Sequence, residues 1–291
     1  MLVGVIGRLR RYRSAVHPST EYQRVSDLPV YDSTMSEIFK DRERAENFGA
    51  AAERYDRLRP GYPVALVEWL TAAGPGRAVD VGCGTGQLTR GLQHAGWDVI
   101  GVEIDARMAA IAESHGLRVD VSGFEAWDGV GPFDLITSAQ AWHWIDPTVG
   151  YHKAHQLLRP GGRLALIWNS YHYDPSVVAV FVEVFGRHAP KLLEDSVPLG
   201  TVNPDYDRLD AATVAGMGSL FDSVETVTFD HERTQSIAAW LEEMGTHSPV
   251  ARLDPSVRAA LDDELPGRLD QVTGGELLVR YNARITSAIR R

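Results

Sequence analysis

The sequence predicts an α/β fold in which a mostly parallel sheet carries helices on both faces. Five short apolar segments suited to strands lie between residues 78 and 168, and helical segments of about ten residues separate them. Breaks such as Gly96 and the run 159–162 end the predicted helices. Strands that alternate with helices in this way form parallel sheets, and right-handed crossovers leave few arrangements open.

The individual elements follow in chain order from apolar spacing and from breaks. Apolar residues at three- and four-residue spacing predict a helix over 41–57, and a second helix opens at Pro63 and runs to Leu70. The strands are then predicted at 78–81, 98–103, 117–121, 133–137 and 163–168, with helices at 87–95, 106–114 and 148–158. Beyond residue 170 the alternation is lost, and we predict helices at 177–185, 235–244 and 255–270 and strands at 223–228 and 277–285.

The composition is that of a globular protein with one large domain. The chain has 291 residues, of which 44% are hydrophobic and 23% are charged, so it is long enough to bury a core. Residues 1–35 show no sustained hydrophobic periodicity of a helix or a strand. We therefore predict a flexible extension there, followed by a domain over 36–291. Met35 is an alternative start of the protein.

The net charge, the hydropathy pattern and the cysteine content restrict the binding partners and the location of the protein. The formal net charge of −10 argues against nucleic acid as a partner, because phosphate binding needs clustered lysine and arginine. No run of about eighteen or more apolar residues is present, so no membrane partner is predicted. The single cysteine, Cys83, excludes an internal disulfide and favours a cytoplasmic location. The oligomeric state stays open.

The strongest chemical signal is the stretch Ala78-Val79-Asp80-Val81-Gly82-Cys83-Gly84-Thr85-Gly86, which follows a strand and opens a helix. Glycines suit a sharp turn where a ligand approaches bare backbone, and the next helix offers free N–H groups. Asp80 suits a cationic ligand and would repel a pyrophosphate. Glu103, at the end of the second strand, is placed to accept hydrogen bonds from both hydroxyls of a ribose. A positively charged nucleoside is therefore predicted; a tight turn beside a surface glutamate is the structural alternative.

Two other nucleotide sites are weighed against this prediction. The dinucleotide fingerprint is Gly-x-Gly-x-x-Gly, and its last glycine would fall at position 87, which is Gln87. A phosphate-binding loop needs a lysine followed by serine or threonine after the glycines, and the sequence lacks that pair. The observed spacing, Gly-x-Gly-x-Gly after an acid, favours a sulfonium nucleoside.

Four longer stretches and two narrower ones carry a family resemblance. They are residues 79–86, 101–105, 133–138 and 158–163, and then 48–63 and 139–146. Through them the chain, over about residues 40–291, resembles class I S-adenosylmethionine-dependent methyltransferases, in particular the small-molecule branch similar to trans-aconitate methyltransferases. The resemblance implies a Rossmann-like sheet of seven strands, mostly parallel, with an antiparallel last strand and an N-terminal lid helix. It also implies S-adenosyl-L-methionine as the cofactor.

The resemblance further implies roles at individual positions. The methionine and ribose part of the cofactor is expected at Asp80, Gly82, Gly84, Gly86, Gln87, Leu88 and Glu103. The adenine is expected at Ile104, Met108, Gly123, Phe124 and Glu125, and the sulfonium near Ala139 and Gln140. The lid is expected to use Tyr55, Arg59 and Tyr62, with Tyr62 toward the acceptor; plain packing is the alternative role of these side chains.

The acceptor side is expected at the carboxyl ends of the fourth and fifth strands. His143 is the best candidate for a catalytic base, since its pKa lies naturally near neutrality; a hydrogen bond to neighbouring backbone is its structural alternative. The acceptor pocket is expected to be lined by Trp142, Trp144, Trp168, Asn169 and Tyr171 and completed by an insertion at about 170–215. Residues 246–248 are a further segment that can reach it.

The predicted reaction is methyl transfer to a small molecule, at oxygen in the first place and at nitrogen in the second. Such a transfer is an in-line displacement in which alignment alone contributes roughly 7–11 kcal/mol. No metal is predicted, because the histidines at 143, 152, 155 and 172 form no metal motif. The competing hypotheses are a nucleotide-dependent oxidoreductase and a catalytically silent cofactor-binding protein.

Overall fold

The computed structural model describes residues 52–194 and 213–291, and of Glu194, Ser219 and Ser248 it describes the backbone alone. The predicted extension 1–35, the first part of the helix predicted at 41–57 and residues 195–212 of the predicted insertion lie outside the described residues. The division of the chain at residue 35 therefore stays a prediction. Within the described ranges, no helix is both long and apolar enough to cross a bilayer.

In the described part of the chain, seven strands form one sheet. They are β1 (Arg77–Val81), β2 (Asp98–Glu103), β3 (Arg118–Val121), β4 (Phe133–Ala139), β5 (Leu158–His172), β6 (Phe221–Ser236) and β7 (Glu276–Arg290). The helices are α1 (Ala52–Leu58), α2 (Val64–Thr71), α3 (Gln87–His94), α4 (Ala106–Ser114), α5 (Pro147–Leu157), α6 (Pro175–His188), α7 (Pro190–Glu194), α8 (Ile237–Met244), α9 (Ser248–Ala251) and α10 (Pro255–Thr273). A short 3-10 turn covers Trp142–Trp144.

The strand order is β3-β2-β1-β4-β5-β7-β6. Strands β1 to β5 are parallel to one another, whereas β7 runs antiparallel between β5 and β6. The predicted fold class, a mostly parallel sheet of seven strands with an antiparallel last strand, is thus confirmed. The order reverses between β1 and β4, and in open α/β sheets ligands bind at such a switch point, beyond the carboxyl ends of the strands.

The alternation of side chains along the strands divides the core into two layers. Leu164, Leu166 and Trp168 on β5 join one buried cluster, whereas Ala165 and Ile167 join the cluster on the opposite face. Successive side chains of a strand point to opposite faces, and both faces here are covered. This explains why the central strands read as continuous apolar runs in the sequence.

The last three strands are longer than predicted. Strand β5 begins at Leu158 and so includes the run 159–162 that was predicted as a break, and its pairing with β4 shifts register between Phe133 and Leu135. Gly161, with φ of +77°, lies in this irregular stretch. Strand β5 then continues to His172, because its polar residues pair with β7 as far as Arg280. Many residues in the added parts of these antiparallel strands are polar and give little hydrophobic signal. The lengths of these strands were therefore underestimated from the sequence.

Helices α6, α8 and α10 form a third cluster beyond the carboxyl end of the sheet. Phe181 and Trp240 stack with ring centroids 4.9 Å apart, and Leu261, Leu265 and Leu277 pack fully buried with them. This helical cluster holds α8 next to the extended end of β7. It therefore brings residues after position 240 toward the edge of the sheet where the switch point lies.

Candidate active site

The bend between β1 and α3 is fixed by three glycines with positive φ. The φ angles of Gly82, Gly84 and Gly86 are +66°, +59° and +86°. A Cβ on Gly82 would lie 2.3 Å from Cβ of Ala141, so a larger residue does not fit there. A Cβ on Gly84 would meet only Cε of Met108, at 3.5 Å, which means that the backbone of Gly84 faces open space. Bare backbone is therefore presented at the carboxyl edge of β1, as the sequence predicted.

A cavity of about 680 Å³, including its open mouth, lies against this bend. Twelve of the residues predicted for the site line it: Tyr55, Arg59, Tyr62, Asp80, Gly82, Gly84, Gln87, Leu88, Ala139, Gln140, Asn169 and Tyr171. Five further residues line it that were not assigned to the site: Pro60, Cys83, Glu243, His247 and Tyr281. Cofactor and acceptor positions predicted from separate parts of the chain thus meet in one cavity.

Asp80 is the more deeply buried of the two carboxylates, Asp80 and Glu243, that line this cavity. The residue is 1% exposed, and its two oxygens accept hydrogen bonds from Oγ1 of Thr89 at 2.7 Å and Oγ1 of Thr137 at 2.8 Å. Burial raises the pKa of Asp80 from 3.8 to about 6, although both threonine hydrogen bonds oppose the rise. An ionised carboxylate in such surroundings gains strongly from a cation, because little water competes.

Glu103 lies behind the glycine bend and not in the lining of the cavity. Its Oε2 accepts from the backbone N of Gly84 at 2.8 Å, and its Oε1 accepts from the backbone N of Asp105 at 2.9 Å. Burial raises the pKa of this carboxyl above its usual value. A carboxylate has about four lone-pair positions, so two remain for ribose hydroxyls. In this conformation Glu103 fixes the backbone of Gly84 that faces the cavity.

The residues predicted for the adenine lie outside the lining of the cavity, as does Gly86. Met108 is 3% and Phe124 is 1% exposed, whereas Ile104 and Gly123 are half-buried. Phe124 packs against Trp142 with ring centroids 5.8 Å apart, and Oε1 of Glu125 accepts from the backbone N of Asp146 at 3.0 Å. Phe124 and Glu125 therefore have structural contacts in this conformation.

The three tryptophans predicted for the acceptor pocket, and His143, also lie outside the lining of the cavity. Trp142 and Trp168 are 4% and 3% exposed and belong to the core cluster under the sheet. The ring centroid of His143 lies 5.0 Å from that of Trp144, and neither of these residues is among those that line the cavity. Tyrosines at positions 55, 62, 171 and 281 supply the aromatic wall instead. The 3-10 turn explains the difference, because it turns Trp142 inward to the core.

Helix α1 covers the cavity and is held from two sides. On one side, Nε of Arg59 donates to Oγ1 of Thr246 at 2.9 Å, and its guanidinium lies 5.1 Å from the ring centroid of Tyr55. On the other side, Nε2 of Gln87 donates to the backbone O of Asp56 at 3.2 Å. The Asp56 carboxylate also contacts His115 at 2.8 Å and Arg90 at 3.4 Å. These contacts place the predicted lid over the glycine bend.

Gln140, at the end of β4, has a strained backbone. Its φ is +58°, a region that residues other than glycine rarely adopt. The conformation is held by two hydrogen bonds to β5, from N to the O of Ile167 at 2.9 Å and from Nε2 to the O of Asn169 at 3.1 Å. Strain of this kind clusters at functional sites, and here it lies in the lining of the cavity.

Glu243 and Tyr281 are the lining residues that sequence reasoning missed. The sequence contains one signal for Glu243: it falls on the apolar face that Ile237, Trp240 and Met244 give to helix α8. A carboxylate on a buried face needs a partner, and Oε2 of Glu243 accepts from Nε2 of Gln235 at 2.8 Å. Tyr281 carries no such signal, because its strand pairing places it opposite Tyr171 only in the folded sheet.

The residues present suit a positively charged nucleoside and give no indication of a metal. The bare side of Gly84 leaves room for a ligand, Asp80 offers a buried carboxylate to its cation, and helix α3 begins at the bend with Gly86 as its N-cap. In residues 52–194 and 213–291, no group of three or more histidine, cysteine or acidic side chains could hold a metal ion.

Comparisons with known proteins agree with this assignment. Residues 79–166 match a family model described as a methyltransferase domain. The chain is 36% identical over 151 residues to an uncharacterized methyltransferase of Mycobacterium tuberculosis, a match that covers 50% of this chain and 61% of that protein. It is 29% identical over 146 residues to a candidate S-adenosylmethionine-dependent methyltransferase of Saccharomyces cerevisiae, covering 46% of this chain and 48% of that protein. The matched region thus spans less than two thirds of these relatives.

A solved structure shows the same fold. The structure of a candidate type II methyltransferase from Anaeromyxobacter dehalogenans superposes with a TM-score of 0.59 and 24% sequence identity, covering 79% of this chain and 97% of that one. The match to the family model and to these relatives supports the methyltransferase resemblance, and the solved structure supports the fold. The likeness to trans-aconitate methyltransferases stays a prediction.

Proposed function

Because residues 79–166 of this chain match a methyltransferase domain, we propose that the protein transfers a methyl group from S-adenosylmethionine to an oxygen atom of a small molecule. One observation carries the proposal: the bare glycine bend and the buried carboxylate of Asp80 meet in one cavity at the switch point of the sheet. A cationic nucleoside satisfies that carboxylate, whereas a pyrophosphate would be repelled by it.

The donor is proposed to lie along the glycine bend. Asp80 takes its cationic amino group, and the first turn of α3, from Gln87 to Leu88, suits its carboxylate through free backbone N–H groups. Glu103 holds the Gly84 backbone and has lone pairs left for the ribose hydroxyls. The adenine is proposed to lie beyond Glu103, toward Ile104, Met108 and the segment 123–125. The sulfonium then falls near Ala139 and Gln140, which line the cavity.

In the proposed mechanism the protein aligns the acceptor and excludes water. The donor, when bound, supplies an activated methyl group and a good leaving group. Helix α1 closes the site, since Arg59 is fixed by Thr246 and stacks on Tyr55. Asn169 and Tyr171 line the side of the cavity that is left for the acceptor. Positioning accounts for most of the acceleration in such a transfer.

A hydroxyl acceptor must also lose a proton. His143 is the base proposed from its place after β4, and His247 is the second candidate because it lines the cavity. Burial, and next the nearby guanidinium of Arg59, hold the pKa of His247 well below 6.5. This imidazole is therefore neutral at pH 7, but the same shift makes it a weaker base than an ordinary histidine. A carboxylate acceptor would need neither histidine.

The test combines binding with turnover. Calorimetry with S-adenosylhomocysteine and, separately, with nicotinamide dinucleotide distinguishes a methyltransferase from an oxidoreductase; binding of the dinucleotide alone would overturn the proposal. Incubation with labelled methyl donor and cell extract then tests turnover, with Asp80→Asn as the blank and Asp98→Asn, an exposed carboxylate at the start of β2, as the matched control. Binding without any labelled product in the wild type would favour a catalytically silent protein.

A further inference from the structure

A second chamber opens beside the main cavity and shares four lining residues with it. These are Tyr171, Glu243, His247 and Tyr281. The chamber adds Tyr173, Trp240 and Met244 and encloses about 320 Å³, including its mouth. Its lining residues come from the extended ends of β5 and β7, from helix α8 and from the segment that follows α8. Nothing in the proposed binding of the donor occupies it.

Aromatic rings at steep angles to one another form the walls of this chamber. Tyr171 and Tyr173 meet at 69° with centroids 5.8 Å apart, and Tyr173 and Trp240 meet at 88° with centroids 6.2 Å apart. The ring of Trp240 is backed by Phe181 at 4.9 Å and that of Tyr281 by His231 at 4.9 Å, both stacked. Rings that are backed in this way cannot collapse into the space between them.

The charge of the chamber comes from Glu243. This residue is 6% exposed; its Oε2 accepts from Gln235, and its Oε1 has only a long contact, 3.5 Å, from the hydroxyl of Tyr281. The nearest guanidinium, that of Arg233, lies 3.8 Å from Oε2, outside the lining, and donates to the backbone O of Leu58. Among the described residues that line the chamber there is no lysine or arginine.

Ring faces and a buried carboxylate both attract cations. Tryptophan and tyrosine rings carry negative charge on their faces and bind ammonium groups at about 6 Å or less from the centroid. A neutral apolar group is stabilised only by packing against the rings, whereas a cation is stabilised by the ring faces and by the carboxylate of Glu243. His247, which is held neutral beside Tyr171, adds no opposing charge.

We infer that this chamber binds a positively charged ammonium group of the methyl acceptor, held between the rings and Glu243. The acceptor is then a small amine-bearing molecule whose ammonium end lies in the chamber and whose reacting oxygen reaches back past Tyr171 to the donor. This identification of the acceptor rests on the proposed methyltransferase function; the recognition of an ammonium group by the chamber does not.

The experiment compares choline with 3,3-dimethylbutan-1-ol, which has the same shape and no charge. Binding is followed by quenching of tryptophan fluorescence, with saturating S-adenosylhomocysteine and without it. We expect choline to bind about tenfold or more tightly than the neutral alcohol. Equal affinity for the two compounds, or no binding of either, would overturn the inference, and this result needs no variant.

Variants then assign the preference to the carboxylate. Glu243→Gln keeps the shape of the side chain and is expected to reduce the preference for choline to about threefold or less. Glu242→Gln is the matched control, since Glu242 is exposed and bonds Arg57 outside the chamber. A preference that persists in Glu243→Gln, or that Glu242→Gln removes equally, contradicts the assignment.

Calorimetry with S-adenosylhomocysteine on the same samples separates this inference from the proposed function. If S-adenosylhomocysteine binds and choline shows no preference, the ammonium site is wrong and the methyltransferase proposal stands. If choline is preferred and S-adenosylhomocysteine does not bind, the chamber is assigned correctly and the proposed reaction is wrong.

Discussion

Replacement of Asp80 by asparagine is expected to stabilise the ligand-free protein while it weakens the binding of S-adenosylhomocysteine. The pKa of Asp80 is raised from 3.8 to about 6 by burial, a change that corresponds to about 3 kcal/mol. A carboxyl whose pKa is raised on folding contributes its stability at low pH, and that stability is lost as the pH rises through 6. At pH 8 the native protein therefore contains an ionised carboxylate that disfavours the fold by up to about 3 kcal/mol.

The Asp80→Asn variant removes this unfavourable free energy at pH 8. At pH 4 the carboxyl of the wild type is protonated, so little unfavourable free energy is present to be removed. The introduced amide can accept from one threonine hydroxyl and donate to the other, so most of the hydrogen bonding with Thr89 and Thr137 is retained. We expect the melting temperature of the ligand-free variant to exceed that of the wild type by a few degrees at pH 8. At pH 4 the two proteins should melt at similar temperatures, and Asp98→Asn should show no such pH dependence.

Ligand binding should respond in the opposite direction. Loss of a charged hydrogen bond weakens the affinity for S-adenosylhomocysteine by about 1.5–3 kcal/mol. In the wild type, the ligand cation favours the ionised carboxylate, so binding near pH 6 should release a fraction of a proton, measurable by calorimetry in buffers of different ionisation enthalpy. A variant that is destabilised equally at both pH values and binds the ligand with unchanged affinity would show that the charge of Asp80 plays neither role.

Three further predictions test neighbouring parts of the site. Glu103→Gln should weaken S-adenosylhomocysteine binding by about 1–3 kcal/mol in calorimetry, because a charged acceptor for Gly84 N–H is lost; an unchanged affinity would remove Glu103 from the site. Gly82→Ala should lower the melting temperature by several degrees, because its Cβ would lie 2.3 Å from Cβ of Ala141. Gly96 has a φ of +87° but no neighbour within 4 Å of a Cβ, so Gly96→Ala should lower the melting temperature less. Equal decreases would show that the φ angle alone matters. His143→Asn and His247→Asn should leave S-adenosylhomocysteine affinity largely intact, and the one that acts as base should lose turnover on a hydroxyl acceptor; unchanged turnover in both would exclude an imidazole base.

The fold and the cofactor side could be predicted because their signals are local. The glycine bend with Asp80, and Glu103 on the next strand, lie within about 25 residues of sequence, and each is tied to one element boundary. The central strands are apolar on both faces, so they stand out from the helices between them. The fold class is accordingly confirmed, and residues 79–166 match the methyltransferase domain that the motifs indicated.

The part of the cavity that is proposed for the acceptor was harder to predict because its lining is assembled from distant segments. Glu243 and Tyr281 come from α8 and β7, and only the antiparallel pairing of β5 with β7 brings Tyr281 opposite Tyr171. The tryptophans at 142 and 168 were predicted to line the acceptor pocket, but both are buried in the core cluster on one face of the sheet. A side chain that follows a strand can turn toward either face, and packing decides which one.

The methyl donor is proposed to bind to the glycine bend, Asp80 and Glu103. A crystal structure with S-adenosylhomocysteine tests this directly and needs no variant. We predict that the ligand lies against Gly82 and Gly84, with its amino group beside Asp80 and its ribose hydroxyls beside Glu103. Density for the ligand elsewhere, or a bend filled by neighbouring side chains while the ligand is bound, would contradict the proposal.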